Sequence, residues 1–103
     1  MTVSWALPAK YRLKEIYLYY KHAASTSVAK SLVRKIFETT RALSSHPKMG
    51  NTEELLKHKN EEYRYLVKGN YKIIYKTTKD GGIYITDVFD CRQNPEKMKA
   101  GTR

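Results

Sequence analysis

The chain has 103 residues and carries 20 lysines and arginines against 10 acids, a formal charge of +10. That length suits one core of about two layers and is too short for two, so residues 1–103 read as a single domain. Its one cysteine, Cys91, excludes an intramolecular disulfide and a cysteine-rich metal site.

The first residues lack the basic and apolar regions of a signal peptide, and no apolar run approaches the roughly 20 residues needed to cross a bilayer. Together with the lone cysteine, this points to a reducing, cytoplasmic location. The charge is uneven: residues 1–50 hold nine cations and only two acids, Glu15 and Glu38, while the second half holds eleven cations and eight acids. An excess of this kind attracts nucleic acid or an acidic protein, and it says nothing about fold.

In chain order, Val3, Trp5 and Leu7 alternate with Ser4 and Ala6 as in a short strand. Pro8 ends that strand and opens a helix, whose first turn needs no donor at that position. From Ala9 onward Leu13, Ile16, Tyr17, Tyr20 and Ala24 recur at helical spacing, with Lys10, Arg12, Lys14 and Lys21 largely off the stripe. Ser25-Thr26-Ser27 supplies N-cap candidates for a second helix. That helix buries a stripe of Val28, Leu32, Ile36, Thr40 and Leu43 and stops at His46-Pro47. So short a connection makes the two helices an antiparallel hairpin.

Met49-Gly50-Asn51 reads as loop, and 53–60 fits either a short helical turn or an edge strand. Three strands follow at Tyr63–Lys68, Tyr71–Thr77 and Ile83–Phe89, joined by turns at Gly69-Asn70 and Lys79-Asp80-Gly81-Gly82. The expected fold is α+β in the order β-α-α-β-β-β, with the N-terminal strand and a three-stranded antiparallel meander in one small sheet.

Two helices on one face leave the other face open. Alternation sends Tyr71, Ile73 and Tyr75 toward the helices, together with Tyr63, Tyr65, Val67, Ile83, Ile85 and Phe89. Arg64, Leu66, Lys68, Lys72, Ile74, Lys76, Tyr84, Thr86 and Val88 then point away, with Arg92 near the same rim. Arg64, Lys68, Lys72 and Arg92 form a candidate surface for nucleic acid or a protein partner, since guanidinium forks and ammonium groups hold phosphate. Tyr84 is placed to stack on a base. Lys76 and Lys79 read as ordinary solvated strand lysines.

His22, His46 and His58 lack the spacing of a metal site. Glu53, Glu54, Glu61 and Glu62 read as solvated acids. Cys91 reads as a small structural thiol, and no glycine-rich phosphate loop is present.

The framework of Trp5, Ala9, Leu13, Ile16, Tyr20, Pro47, Gly50, Tyr63-Arg64, Gly69, Tyr71-Lys72-Ile73-Ile74-Tyr75 and Val88-Phe89-Asp90-Cys91-Arg92 resembles the RelE/ParE superfamily. These are toxins of bacterial type II toxin–antitoxin modules, also called plasmid stabilisation proteins. The resemblance runs from about residue 3 to 97. It implies an α+β domain, a cognate antitoxin that masks the toxin, and no cofactor. RelE-like members are ribosome-dependent, metal-independent mRNA endoribonucleases, and toward that activity Arg64, Lys72 and Arg92 match catalytic cations. Leu66 replaces a further basic residue, however, and no tyrosine or histidine follows Arg92. ParE-like members act on DNA gyrase without a catalytic set, and the ending Arg92-Gln93-Asn94-Pro95 looks closer to theirs. Three readings stand: a gyrase-directed toxin, an mRNA endoribonuclease, and a basic nucleic-acid-binding domain without toxicity.

Overall fold

The computed structural model describes residues 2–57, 59 and 61–98. Strand β1 (Val3–Trp5) leads into helix α1 (Leu7–Ala23), with Pro8 in its first turn, and helix α2 (Thr26–Arg41) follows. The Ser25 side chain caps α2 by accepting the Val28 N–H at 3.1 Å. A 3-10 turn at Ala42–Ser44 ends the hairpin. Strand β2 (Asn51–Thr52), a second 3-10 turn at Glu54–Leu56, and strands β3 (Arg64–Lys68), β4 (Tyr71–Thr77) and β5 (Ile83–Asp90) complete the order. The segment that resisted reading therefore contains a helical turn, and the loop before it contributes a two-residue edge strand.

The five strands lie in the order β1-β5-β4-β3-β2. The β3-β4-β5 meander is antiparallel, whereas β1 returns to pair parallel with β5, Val3 opposite Ile83 and Trp5 opposite Ile85. A parallel partner needs a long crossover, which the helical hairpin and the meander together supply.

The main core sits between helices and sheet, where Ile16, Ile36 and Leu43 meet Tyr71, Ile73, Tyr75, Ile83, Ile85 and Val88. A second core occupies the other face, built from Leu56, Tyr63, Ile74, Phe89 and Met98 with Tyr65 against it. Because both faces are packed, the expected sides of β3 are reversed, Val67 included, which pairs with Lys72. Cross-strand partners share a face. Pairing of Arg64 with Tyr75, Leu66 with Ile73 and Lys68 with Tyr71 therefore puts Arg64, Leu66 and Lys68 on the helix side. Tyr63 and Tyr65 belong to the second core instead.

In β5 the register steps from Ile74 opposite Asp87 to Tyr75 opposite Ile85, leaving Thr86 as an extra residue. Such a bulge reverses the alternation beyond it. Val88 consequently faces the helices and Phe89 the second core.

Gly50 is required by close approach. A Cβ there would lie 2.5 Å from the Tyr65 carbonyl oxygen and 2.8 Å from the Tyr75 hydroxyl. That hydroxyl accepts the Gly50 N–H at 2.9 Å and donates to the Pro47 carbonyl at 2.9 Å. The loop after α2 is thereby pinned to the middle strand.

Candidate functional site

The expected cationic surface divides among three places. On the face away from the helices lie Lys72, Lys76 and Tyr84. Lys72 Nζ sits 4.2 Å from the centre of the Tyr65 ring and 2.9 Å from Glu53 Oε2. Glu53 is only 3% exposed, so this acid, read from sequence as solvated, is a buried counter-charge. Lys76 Nζ reaches Glu61 Oε2 at 2.6 Å and lies 5.7 and 5.8 Å from the Tyr63 and Tyr84 rings. The hydrogen bond from Lys76 holds the Glu61 carboxyl below its ordinary range, and the same bond raises the Lys76 ammonium. Lys76 is thus an enclosed, paired group and not a free surface lysine.

Arg64 is at the helix-side edge of the sheet. Its guanidinium donates to the Gly50 carbonyl at 2.8 Å and to Glu62 Oε1 at 2.9 Å, clamping the loop that Tyr75 also holds. Lys68 shares that side, opposite Tyr71.

Arg92 lies just beyond β5, where its guanidinium meets both oxygens of Asp90 at 2.9 and 2.8 Å. That bidentate pair lowers the Asp90 carboxyl and raises the Arg92 guanidinium. A cleft of about 350 Å³ opens here between α1 and the end of β5, lined by Arg12, Glu15, Tyr19, Tyr71, Asp90 and Arg92 among others. Burial pushes the Tyr71 phenol up, and the neighbouring Tyr20 hydroxyl adds to the shift. Arg12 also faces Asp87 at 3.6 Å. Burial raises the Asp87 carboxyl despite that cation, and its Oδ2 has no hydrogen-bond partner.

Arg64, Lys72 and Arg92 do not converge. Lys72 is across the sheet from the other two, and each is matched to an acid: Glu62, Glu53 and Asp90. Tyr84 shares a face with Lys72 but neighbours Lys76. Cys91 is exposed, a surface thiol and not a buried one. His22 and His46 are exposed, and His58 falls outside the described residues. Among the described residues no group of three or more His, Cys, Asp or Glu side chains could hold a metal ion, and no helix is long and apolar enough to cross a membrane.

Much of the unpaired charge is on the helices. Among the described residues, Lys10, Lys14 and Lys21 of α1 and Lys30, Arg34, Lys35 and Arg41 of α2 make no ion pair, unlike Arg12. Apolar surface accompanies them. Leu7, Tyr11, Tyr19, Val28 and Phe37 are large exposed side chains of the hairpin. One apolar groove is lined by Trp5, Leu13, Tyr17, Val33 and Phe37, and another, by Tyr20, Val28, Leu32 and Tyr71, lies between hairpin and sheet. Sequence reasoning placed Lys10, Lys14 and Lys21 off the buried stripe of α1 but assigned the binding surface to the sheet. The near absence of acids in residues 1–50 was the available signal.

The family model described as the ParE toxin of the type II toxin–antitoxin system parDE matches residues 3–95. Among solved structures, a chain of the "Chromosomal ParDE TA system from P. aeruginosa" superposes with a TM-score of 0.72 at 18% identity, covering 87% of this chain and 95% of that one. That likeness establishes the fold. No curated protein matches the sequence.

Proposed function

The chain belongs to the ParE toxin family of type II toxin–antitoxin systems, and from that premise we propose that it arrests growth by binding DNA gyrase and is neutralised by a cognate antitoxin. The observation that carries this reading is the separation of Arg64, Lys72 and Arg92. A metal-independent nuclease needs its cations gathered around one phosphate, where they stabilise charge as it develops. Here they lie in three places, each neutralised by a carboxylate. A binding inhibitor has no such requirement.

An antitoxin finds two complementary features in the exposed apolar grooves and a surplus of positive charge, which steers an acidic segment toward the hairpin. The apolar groove formed by Tyr20, Val28, Leu32 and Tyr71 suits a short amphipathic element.

The test is direct. Purified gyrase with plasmid DNA should lose supercoiling activity and accumulate cleaved DNA when the chain is added, and the antitoxin should reverse both effects. Codon-specific cuts on programmed ribosomes, with gyrase unaffected, would replace this reading with the endoribonuclease.

A further inference from the structure

We propose that the groove between α1 and α2 binds single-stranded nucleic acid, with its rings stacking on bases and its two cationic banks following the phosphates. This site lies away from the outward face of the sheet and does not depend on the gyrase reading.

The floor of the groove holds Trp5, Tyr17 and Phe37 with Leu13 and Val33, while Lys10 and Lys14 line its α1 side. The Trp5 and Phe37 rings stack with centroids 6.0 Å apart and planes 13° from parallel. Phe37 is 51% exposed, so the stacked column ends at a ring open to solvent. An unstacked base continues such a column, and base–aromatic stacking is tolerant of sequence because every base has a π-face.

The α2 bank follows from helical spacing. Lys30 precedes Val33 by one turn, and Arg34 and Arg41 flank Phe37 at one turn before and after. Lys30 and Arg34 also border a polar hollow with Thr26, Ser27 and Ser31. From Lys30 to Arg41 is about 16 Å along the axis, enough to track several nucleotides of an extended strand. Among the described residues no acid forms an ion pair with these cations, and Glu38 is the single acid of α2, so a net positive charge is available for counterion release. A purely acidic peptide would use the banks and leave the rings idle. A duplex would use the banks and keep its base faces hidden.

Trp5 is the only tryptophan, so its fluorescence reports on this groove alone. Titrating the full chain with oligothymidylate should quench Trp5, with affinity falling steeply as salt rises. Replacing Lys14, Lys30 or Arg34 with Gln should each flatten the log–log salt dependence by about 0.7. These side chains are exposed, so the fold is not at issue. Phe37→Leu should weaken binding roughly tenfold while leaving the salt dependence intact, and Lys72→Gln should change neither.

The proposal is overturned if oligothymidylate leaves Trp5 unquenched, or if a duplex of equal length binds as tightly. It also falls if polyglutamate quenches and competes equally well, or if Lys72→Gln alters the salt dependence as much as Lys30→Gln does.

Discussion

On the sheet, Lys72 and Lys76 lie over tyrosine rings and reach Glu53 and Glu61, whereas on the hairpin Lys10, Lys14, Lys30, Arg34 and Arg41 stand in water without an acid partner. The difference is one of desolvation. An ammonium drawn beside a packed core loses hydration and must recover it from a carboxylate and a ring face. A lysine on an exposed helix face keeps its water and its full external field. Much of the charge of +10 is therefore projected from the helices, and Lys72 and Lys76 hold the second core closed.

Truncation within the two aromatic regions should separate them most. Phe89→Ala empties a site that is 4% exposed in the second core and should cost about 3–5 kcal/mol in urea unfolding. Phe37→Ala, on the open groove, should cost no more than about 1.5 kcal/mol, the value of one ring–ring contact. Equal losses would show that the groove is core and not a binding surface.

Cation removal comes next. Lys72→Met leaves the Glu53 carboxylate buried and unpaired and should cost about 2–3 kcal/mol. Lys14→Met should stay within about 0.5 kcal/mol. Both are read from denaturation midpoints at neutral pH.

A third effect depends on pH. Asp87 has its pKa raised, chiefly by burial and with Arg12 opposing. The folded state therefore binds this proton more tightly than the unfolded chain does. The stability it contributes is present below the ordinary aspartate range and is lost as pH rises through the raised value. Asp87→Asn should gain on the native protein as pH climbs across that window, in urea midpoints measured from acid to neutral pH. A gap that stays constant or narrows with rising pH would mean that Arg12 outweighs burial. Smallest of all, Arg92→Ala should move the unfolding midpoint only slightly, because the Arg92 side of its pair with Asp90 is half exposed.

The order of elements was legible because the two helices are amphipathic and the three long strands are broken by glycine turns. The sidedness of β3 was not. Tyr63, Tyr65 and Val67 form a plausible inward set only if one face of the sheet is dry, and Leu56 and Met98 close the other face from distant parts of the chain. The run Ile73-Ile74-Tyr75 was the clue, since three consecutive apolar residues in a central strand mean burial on both faces. The bulge at Thr86 has no local sequence mark, so Val88 and Phe89 were exchanged.

Of the candidate site residues, the positions of Lys72 and Tyr84 were legible on the outward face of the sheet. Their carboxylate neighbours were not, because Glu53 and Glu61 come from a segment without periodicity. The family framework, by contrast, was carried by spacing over the whole chain and agrees with the match over residues 3–95.

The division of labour between the two regions is tested most directly by a double-mutant cycle on Lys72→Met and Glu53→Gln, followed by urea unfolding. A bound pair inside the second core predicts a coupling of about 1–3 kcal/mol, with the double variant more stable than the summed single losses imply. Additivity within about 0.5 kcal/mol would mean that Lys72 is a free surface cation after all, and the contrast between sheet and hairpin would be void.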